Sequence, residues 1–255
     1  MGKPTELVTP ESTFADYLKG LARWPYPPEG APLTAPAEVL AGWRGAVLRV
    51  LRPALLLRTR IAVTRVLMLV RPRPLRQHGG ELKIHLGSGE VSLPGWRNVD
   101  LVGSRADHLW DLRRPLDALP GSVTAVFNEH FLEHLRLPEA VGMLQQSFAL
   151  MRPGAVLRIG VPDFARYFED YLTPDGLLPR ARPGRPTAMV ALNELVYSYG
   201  HSSLWDGETL VSLLTEIGFG GARVCALGES ELDPVPDSAF RSEFGPTLYV
   251  EARKP

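Results

Sequence analysis

The 255 residues predict an α/β domain, a mostly parallel sheet covered by helices on both faces. Three observations carry this. Short apolar runs of strand length recur from residue 82 to the end of the chain. Stretches with apolar residues at helical spacing separate several of them. Glycine or polar residues close several of these runs at their carboxyl ends, where open α/β sheets hold ligands.

Seven runs are strand candidates. Leu82–Leu86 ends in Gly87-Ser88-Gly89, and Trp96–Leu101 carries Asp100 near its end. Ala106–Trp110 is the weakest, Val123–Phe127 leads into Asn128-Glu129-His130, and Ala155–Val161 leads into Pro162-Asp163. Residues 221–227 and 246–252 complete the set. Between the fourth and fifth runs, apolar residues at 140, 141, 144, 148 and 151 mark one helix face, and Arg152-Pro153-Gly154 stops that helix. A helix begins at Phe164, and Glu208–Ile217 is another, closed by Gly218.

Composition places the chain among ordinary globular proteins. With 45% apolar and 22% charged residues it is not disordered, collagenous or coiled coil as a whole. Cys225 is the only cysteine, so no intrachain disulfide and no cysteine-rich zinc site can form. The net charge of zero is unevenly divided: residues 1–80 carry 12 Lys/Arg against 5 Asp/Glu, and residues 81–255 carry 16 against 23. That balance disfavours nucleic acid as a partner.

Residues 1–80 read as an N-terminal extension, irregular to about residue 36 and then helical and basic, with Pro53 between two helical stretches. Gly79-Gly80 marks the start of the main domain, 81–255, which carries an insertion or lid at about 164–205. Within it, residues 173–187 form a Pro/Gly loop bearing Arg180, Arg182 and Arg185. Residues 1–30 show no secretory-signal pattern. Five arginines inside Val47–Val70 argue against a spanning helix. The extension is expected either to pack on its own domain with its arginines snorkelling, or to make a peripheral membrane contact through residues 37–76. The expected location is cytoplasmic, reaching at most the inner membrane face.

The glycine turn speaks for a nucleoside rather than a dinucleotide. Gly87-x-Gly89 lacks the third glycine, Ser92 standing in its place, and Asp100 lies 11 residues past Gly89, where a dinucleotide fold places its acid roughly 20 residues on. An acid after the second strand is how such folds hold a ribose diol. Loop capping is the alternative for Asp100 and Asp111. No Gly-Lys-Ser/Thr phosphate loop occurs.

Lys83-Ile84-His85-Leu86-Gly87-Ser88-Gly89, followed by Pro94-Gly95-Trp96-Arg97-Asn98-Val99-Asp100, resembles the class I S-adenosylmethionine-dependent methyltransferases, nearest to a small bacterial branch with a compressed first crossover. Asp111-Leu112, His130-Phe131-Leu132-Glu133-His134-Leu135, Met151-Arg152-Pro153-Gly154 and Leu157 to Asp163 follow in the same order. The resemblance covers about 82–254. It implies a Rossmann-like seven-stranded methyltransferase sheet and S-adenosylmethionine as cofactor. It further implies that Gly87, Ser88 and Gly89 line the cofactor, Asp100 takes the ribose hydroxyls, Asp111 and Leu112 meet the adenine, and Asn128 lies beside the methionine end. Ser88 stands where that branch often has Cys, and His85 near where many members have an acid.

Methyl transfer from a sulfonium needs alignment and, for a hydroxyl acceptor, removal of a proton. Histidine suits that step. The candidates are His130, at the end of the fourth strand, and His201, in Tyr199-Gly200-His201-Ser202-Ser203, with Asp163 orienting the acceptor. Packing for His130 and helix capping for Asp163 are the alternatives. His134 lies one turn past His130 and is expected to pack. The segment lacks His-Glu-x-x-His spacing and an evident third ligand, so no metal is expected. The expected activity is O-methylation of a small molecule, sugar or lipid-linked glycan; a non-catalytic cofactor-binding or scaffold protein is the alternative.

Overall fold

The computed structural model describes residues 59, 62–64, 66, 75, 80–101, 105–173, 187–197, 199–237 and 245–255. Most of the membrane-contact segment expected at 37–76, and the loop arginines 180, 182 and 185, lie outside the described residues.

Seven strands form one sheet: β1 Lys83–Leu86, β2 Arg97–Asp100, β3 His108–Leu109, β4 Val123–Glu129, β5 Met151–Pro162, β6 Gly220–Cys225 and β7 Thr247–Arg253. Their spatial order is β3-β2-β1-β4-β5-β7-β6. All pairs are parallel except those of β7, which runs antiparallel to both β5 and β6. This is the Rossmann-like seven-stranded sheet that the resemblance implies. The chain travels outward from β1 in one direction and from β4 in the other, so the β1/β4 junction is the switch point where such sheets bind ligands. Register makes that junction concrete. Leu86 pairs with Val99 on one side and with Asn128 on the other, so Gly87, Asp100 and Asn128 reach the same sheet edge.

Four described helices follow: α1 Leu137–Leu150, α2 Phe164–Tyr171, α3 Ala188–Tyr197 and α4 Gly207–Ile217. Glu139 accepts from the Arg136 amide at 3.0 Å and starts α1. Asp206 accepts from the Thr209 amide at 2.8 Å and starts α4, and Gly218, at φ 109°, ends it in the left-handed conformation that favours glycine. The sequence places α3 inside a region read only as an insertion.

The main core lies between the sheet and the pair α1 and α4. Ile84, Leu86, Val126, Leu157, Ile159 and Val250 from the strands meet Leu144, Leu150, Leu210 and Leu214 from the helices. Side chains alternate along a strand, so the intervening residues face the other way. That second face carries His85, Phe127, Arg158 and Glu251, all buried. Loops supply part of its cover. Trp96 sits edge-on to Phe127 at 6.1 Å, and the segment after β6 reaches Arg158 through the Asp237 carboxylate at 2.5 Å and the Glu229 carbonyl at 2.8 Å.

The first crossover explains the loop cover. Ten residues join β1 to β2 with no helix. Asn98 on β2 organises them: its Oδ1 accepts from the Leu93 amide at 2.9 Å, and its Nδ2 donates to Asp107 at 2.8 Å. Part of the N-terminal extension touches the domain. Thr59, residues 62–64 and Val66 are helical, the Thr64 hydroxyl donates to the Leu101 carbonyl at 2.8 Å, and Leu75 is buried in the main core. No described helix is long and apolar enough to cross a membrane.

Candidate active site

The carboxyl edge of the sheet gathers most of the residues singled out from the sequence. Gly87 and Gly89 turn the chain off β1 at φ 67° and 55°, a region closed to most side chains. A Cβ on Gly87 would lie 2.1 Å from the Phe131 ring, so this glycine admits an aromatic side chain from beyond β4. The Gly89 amide donates to Asp100 Oδ2 at 2.8 Å, which fixes the carboxylate beside the turn.

Two buried polar side chains at this edge have no hydrogen-bond partner among the described residues: Ser88, through Oγ, and Asn128, through both Oδ1 and Nδ2. Both are fully buried. A buried polar group left unpaired costs about 1–3 kcal/mol, so a pair of them flanking one strand junction asks for a ligand. The set fits a nucleoside cofactor with a polar tail: a carboxylate for hydroxyls, a glycine turn for close approach, and an amide and a hydroxyl waiting for polar atoms.

Asp111 and Leu112 sit differently from the expectation. The Asp111 carboxylate is buried and takes a two-pronged contact from Arg113, at 2.7 and 2.9 Å. The carboxylate is thus already engaged by a cation, and Leu112 belongs to the main core. Asp163 is a helix cap: its carboxylate accepts from the Arg166 amide at 3.2 Å at the start of α2, with no histidine contact among the described residues.

His130 and His201 come together on Glu133, a residue that the sequence reading placed within a motif and gave no role. Glu133 lies on the single 3-10 turn Leu132–His134 that follows β4 and is fully buried. His130, itself in the left-handed region at φ 51°, brings Nδ1 to 3.4 Å from Glu133 Oε1 and Nε2 to 3.0 Å from the Thr247 hydroxyl. Burial opposes ionisation of Glu133, but the His130 contact and the fields of His134, His130 and His201 outweigh it and bring its pKa to about 2. His201 goes the other way. Burial pushes its pKa down to about 4 against the pull of Glu133, so its ring is neutral at pH 7. Rings of His134 and His201 meet edge to face at 5.2 Å. The signal for this cluster was present as an acid in the apolar run Phe131-Leu132-Glu133-His134-Leu135. Its third member, 68 residues further along, was not readable from spacing.

A second buried pair lies nearby: the Tyr249 hydroxyl donates to Glu129 at 2.6 Å, and burial together with Glu129 pushes the phenol pKa upward.

No family model and no curated protein matches the chain. Solved structures do. A SAM-dependent methyltransferase from Archaeoglobus fulgidus is 17% identical over 76% of this chain and 94% of its own, with a TM-score of 0.42. One from Thermotoga maritima is 14% identical over 76% and 96%, with a TM-score of 0.43. Magnesium protoporphyrin IX methyltransferase from Synechocystis, solved with bound SAH, is 15% identical over 85% and 89%, with a TM-score of 0.41. At these identities and scores the likenesses assign no activity to this chain.

Proposed function

We propose that the chain is an S-adenosylmethionine-dependent methyltransferase that methylates a hydroxyl of a small molecule, sugar or lipid-linked glycan. The observation that carries this is the pair of buried, unpartnered side chains, Ser88 and Asn128, at the ends of β1 and β4 beside an Asp100 carboxylate held by the glycine turn. Gly87, Ser88, Gly89, Asp100 and Asn128 would hold the cofactor. When bound, its sulfonium supplies an activated methyl, the carbon–sulfur electron pair returning to sulfur on transfer. Asp111 contributes through Arg113, and Leu112 as the apolar floor behind it.

The chain's own work is alignment and proton removal. His130 takes the acceptor's proton. Its ring is oriented from both sides, by Glu133 and by Thr247, and the Glu133 carboxylate stabilises the imidazolium that forms. His201, on the other side of Glu133, contacts the acceptor. Asp163 places α2 at the mouth rather than touching substrate. Choice of a hydroxyl over an amine follows from the residues at the carboxyl end of β4, Asn128-Glu129-His130-Phe131, which lack the Asn-Pro-Pro-Tyr type of amine-methylating motif and offer a proton acceptor instead.

The test is transfer of a labelled methyl group from S-adenosylmethionine to pools of sugars, lipid-linked glycans and small alcohols. A base-stable, uncharged methyl ether is the expected product. Label appearing in protein or RNA instead, or cofactor binding with no transfer to any pool, would contradict the proposed acceptor class; the latter would favour a scaffold.

A further inference from the structure

We propose that Glu133, His134 and His201 form a binding site for one divalent transition metal of the zinc type. Each residue offers one ligand atom, and the three atoms lie within 4.8 Å of one another. Zinc bonds of 2.0–2.1 Å place tetrahedral ligands about 3.3 Å apart, a closure that side-chain rotation supplies.

Two independent observations point to a ligand. The Glu133 carboxylate is fully buried, and neither oxygen has a well-formed hydrogen bond; the His130 ring nitrogen Nδ1 stands 3.4 Å from Oε1. His201 Nδ1 is likewise buried with no hydrogen-bond partner. A buried carboxylate beside a buried, unpaired imidazole nitrogen is costly, and a cation held by both relieves it.

The surroundings have the character of a metal site. Ligating histidines generally give their second ring nitrogen to a backbone carbonyl or carboxylate. His134 places Nδ1 3.4 Å from the Gly200 carbonyl, which leaves Nε2 as donor. The scaffold is also fixed. The amides of Ser202 and Ser203 donate to the Glu133 carbonyl at 2.7 and 3.1 Å, tying the loop that carries His201 to the turn that carries the other two ligands.

Two nitrogens and one carboxylate suit zinc rather than magnesium or calcium, which prefer oxygen throughout. Three protein ligands leave a fourth position, the pattern of zinc sites that receive substrate. Resting on the methyltransferase reading, that position is where the acceptor's oxygen would sit, because the turn Leu132–His134 follows β4, whose carboxyl end carries Asn128.

The experiment titrates the full chain, stripped with a chelator, with Zn2+ against a chromogenic zinc indicator, with Mg2+ as competitor. One zinc per chain, undisturbed by Mg2+, is expected. Glu133→Gln and His201→Ala should each weaken binding by about 100-fold or more, with circular dichroism and thermal melting reporting that both still fold. His108→Asn, away from the cluster, should bind as the natural chain does. Co2+ in place of zinc should give the intense visible bands of a four-coordinate site, lost in Glu133→Gln. No stoichiometric zinc, or equal affinity in the folded Glu133→Gln and His201→Ala chains, would overturn the proposal. A parallel titration of the natural chain with S-adenosylhomocysteine separates the two readings. Cofactor bound without zinc defeats the metal site alone, and zinc bound without cofactor defeats the methyltransferase reading alone.

Discussion

Gly87 and Gly95 both adopt left-handed backbone, at φ 67° and 80°, but only Gly87 has something pressed against it. Gly95→Ala should therefore show backbone strain alone, about 1–2 kcal/mol. Gly87→Ala adds a collision with the Phe131 ring at 2.1 Å and should lower the melting temperature further, with weakened S-adenosylhomocysteine binding besides. Thermal melts and calorimetry of the two variants side by side check this. Asp206 gives a pH-dependent counterpart. Its hydrogen bonds to Thr209 lower its pKa from the ordinary 3.8. A depressed folded-state pKa means the stabilisation is present above the unfolded value and is lost as pH falls through the folded one. Asp206→Ala should destabilise the chain by about 1 kcal/mol at neutral pH, and denaturant titrations should show that difference fading once the carboxylate is protonated. At this scale the sequence was partly legible. A glycine turn and an acid at the right offset announce themselves. Asp163 was open to two readings, orientation of an acceptor or a cap, and its carboxylate does accept from the Arg166 amide as a cap does.

Elements depend on partners that lie far along the chain. Arg158, on β5, is wholly buried and is met by Asp237, Glu251 and the carbonyls of Ala226 and Glu229. Such a network is no strong source of net stability, but, among the described residues, removing its cation takes the only ion-pair partner from the buried Asp237 carboxylate and leaves Glu251 with Arg223 alone. Arg158→Ala should cost about 3–5 kcal/mol in equilibrium unfolding. Leu75 shows how the N-terminal extension joins the domain: it is buried in the main core, and its amide donates to the Asp117 carbonyl at 2.9 Å. Leu75→Ala should destabilise the whole chain by about 2–5 kcal/mol, whereas an extension that merely trailed from the domain would show no change. The strands and α1 were visible in the sequence because apolar periodicity records a face turned to a core. The loop cover of the second sheet face was not, because Arg158 and Asp237 are joined by geometry across 79 residues and by no local pattern.

For the molecule as a whole, the sheet order places β1 and β4 side by side at the switch point. The order of motifs pointed to a mostly parallel seven-stranded sheet, while the strand order and the reversal of β7 are read from the structure. What the fold adds is convergence: Glu133 and His134 from one turn, His201 from a loop beyond α3, and His130 from the end of β4 meet in one place that no spacing rule describes. The central claim is that the β1/β4 edge binds S-adenosylmethionine. Calorimetric titration with S-adenosylhomocysteine, comparing the natural chain with Asp100→Ala, tests it most directly. Micromolar binding, weakened at least tenfold by the substitution, or about 1.4 kcal/mol, is the predicted result. No binding to the natural chain, or the same affinity in both, would contradict it.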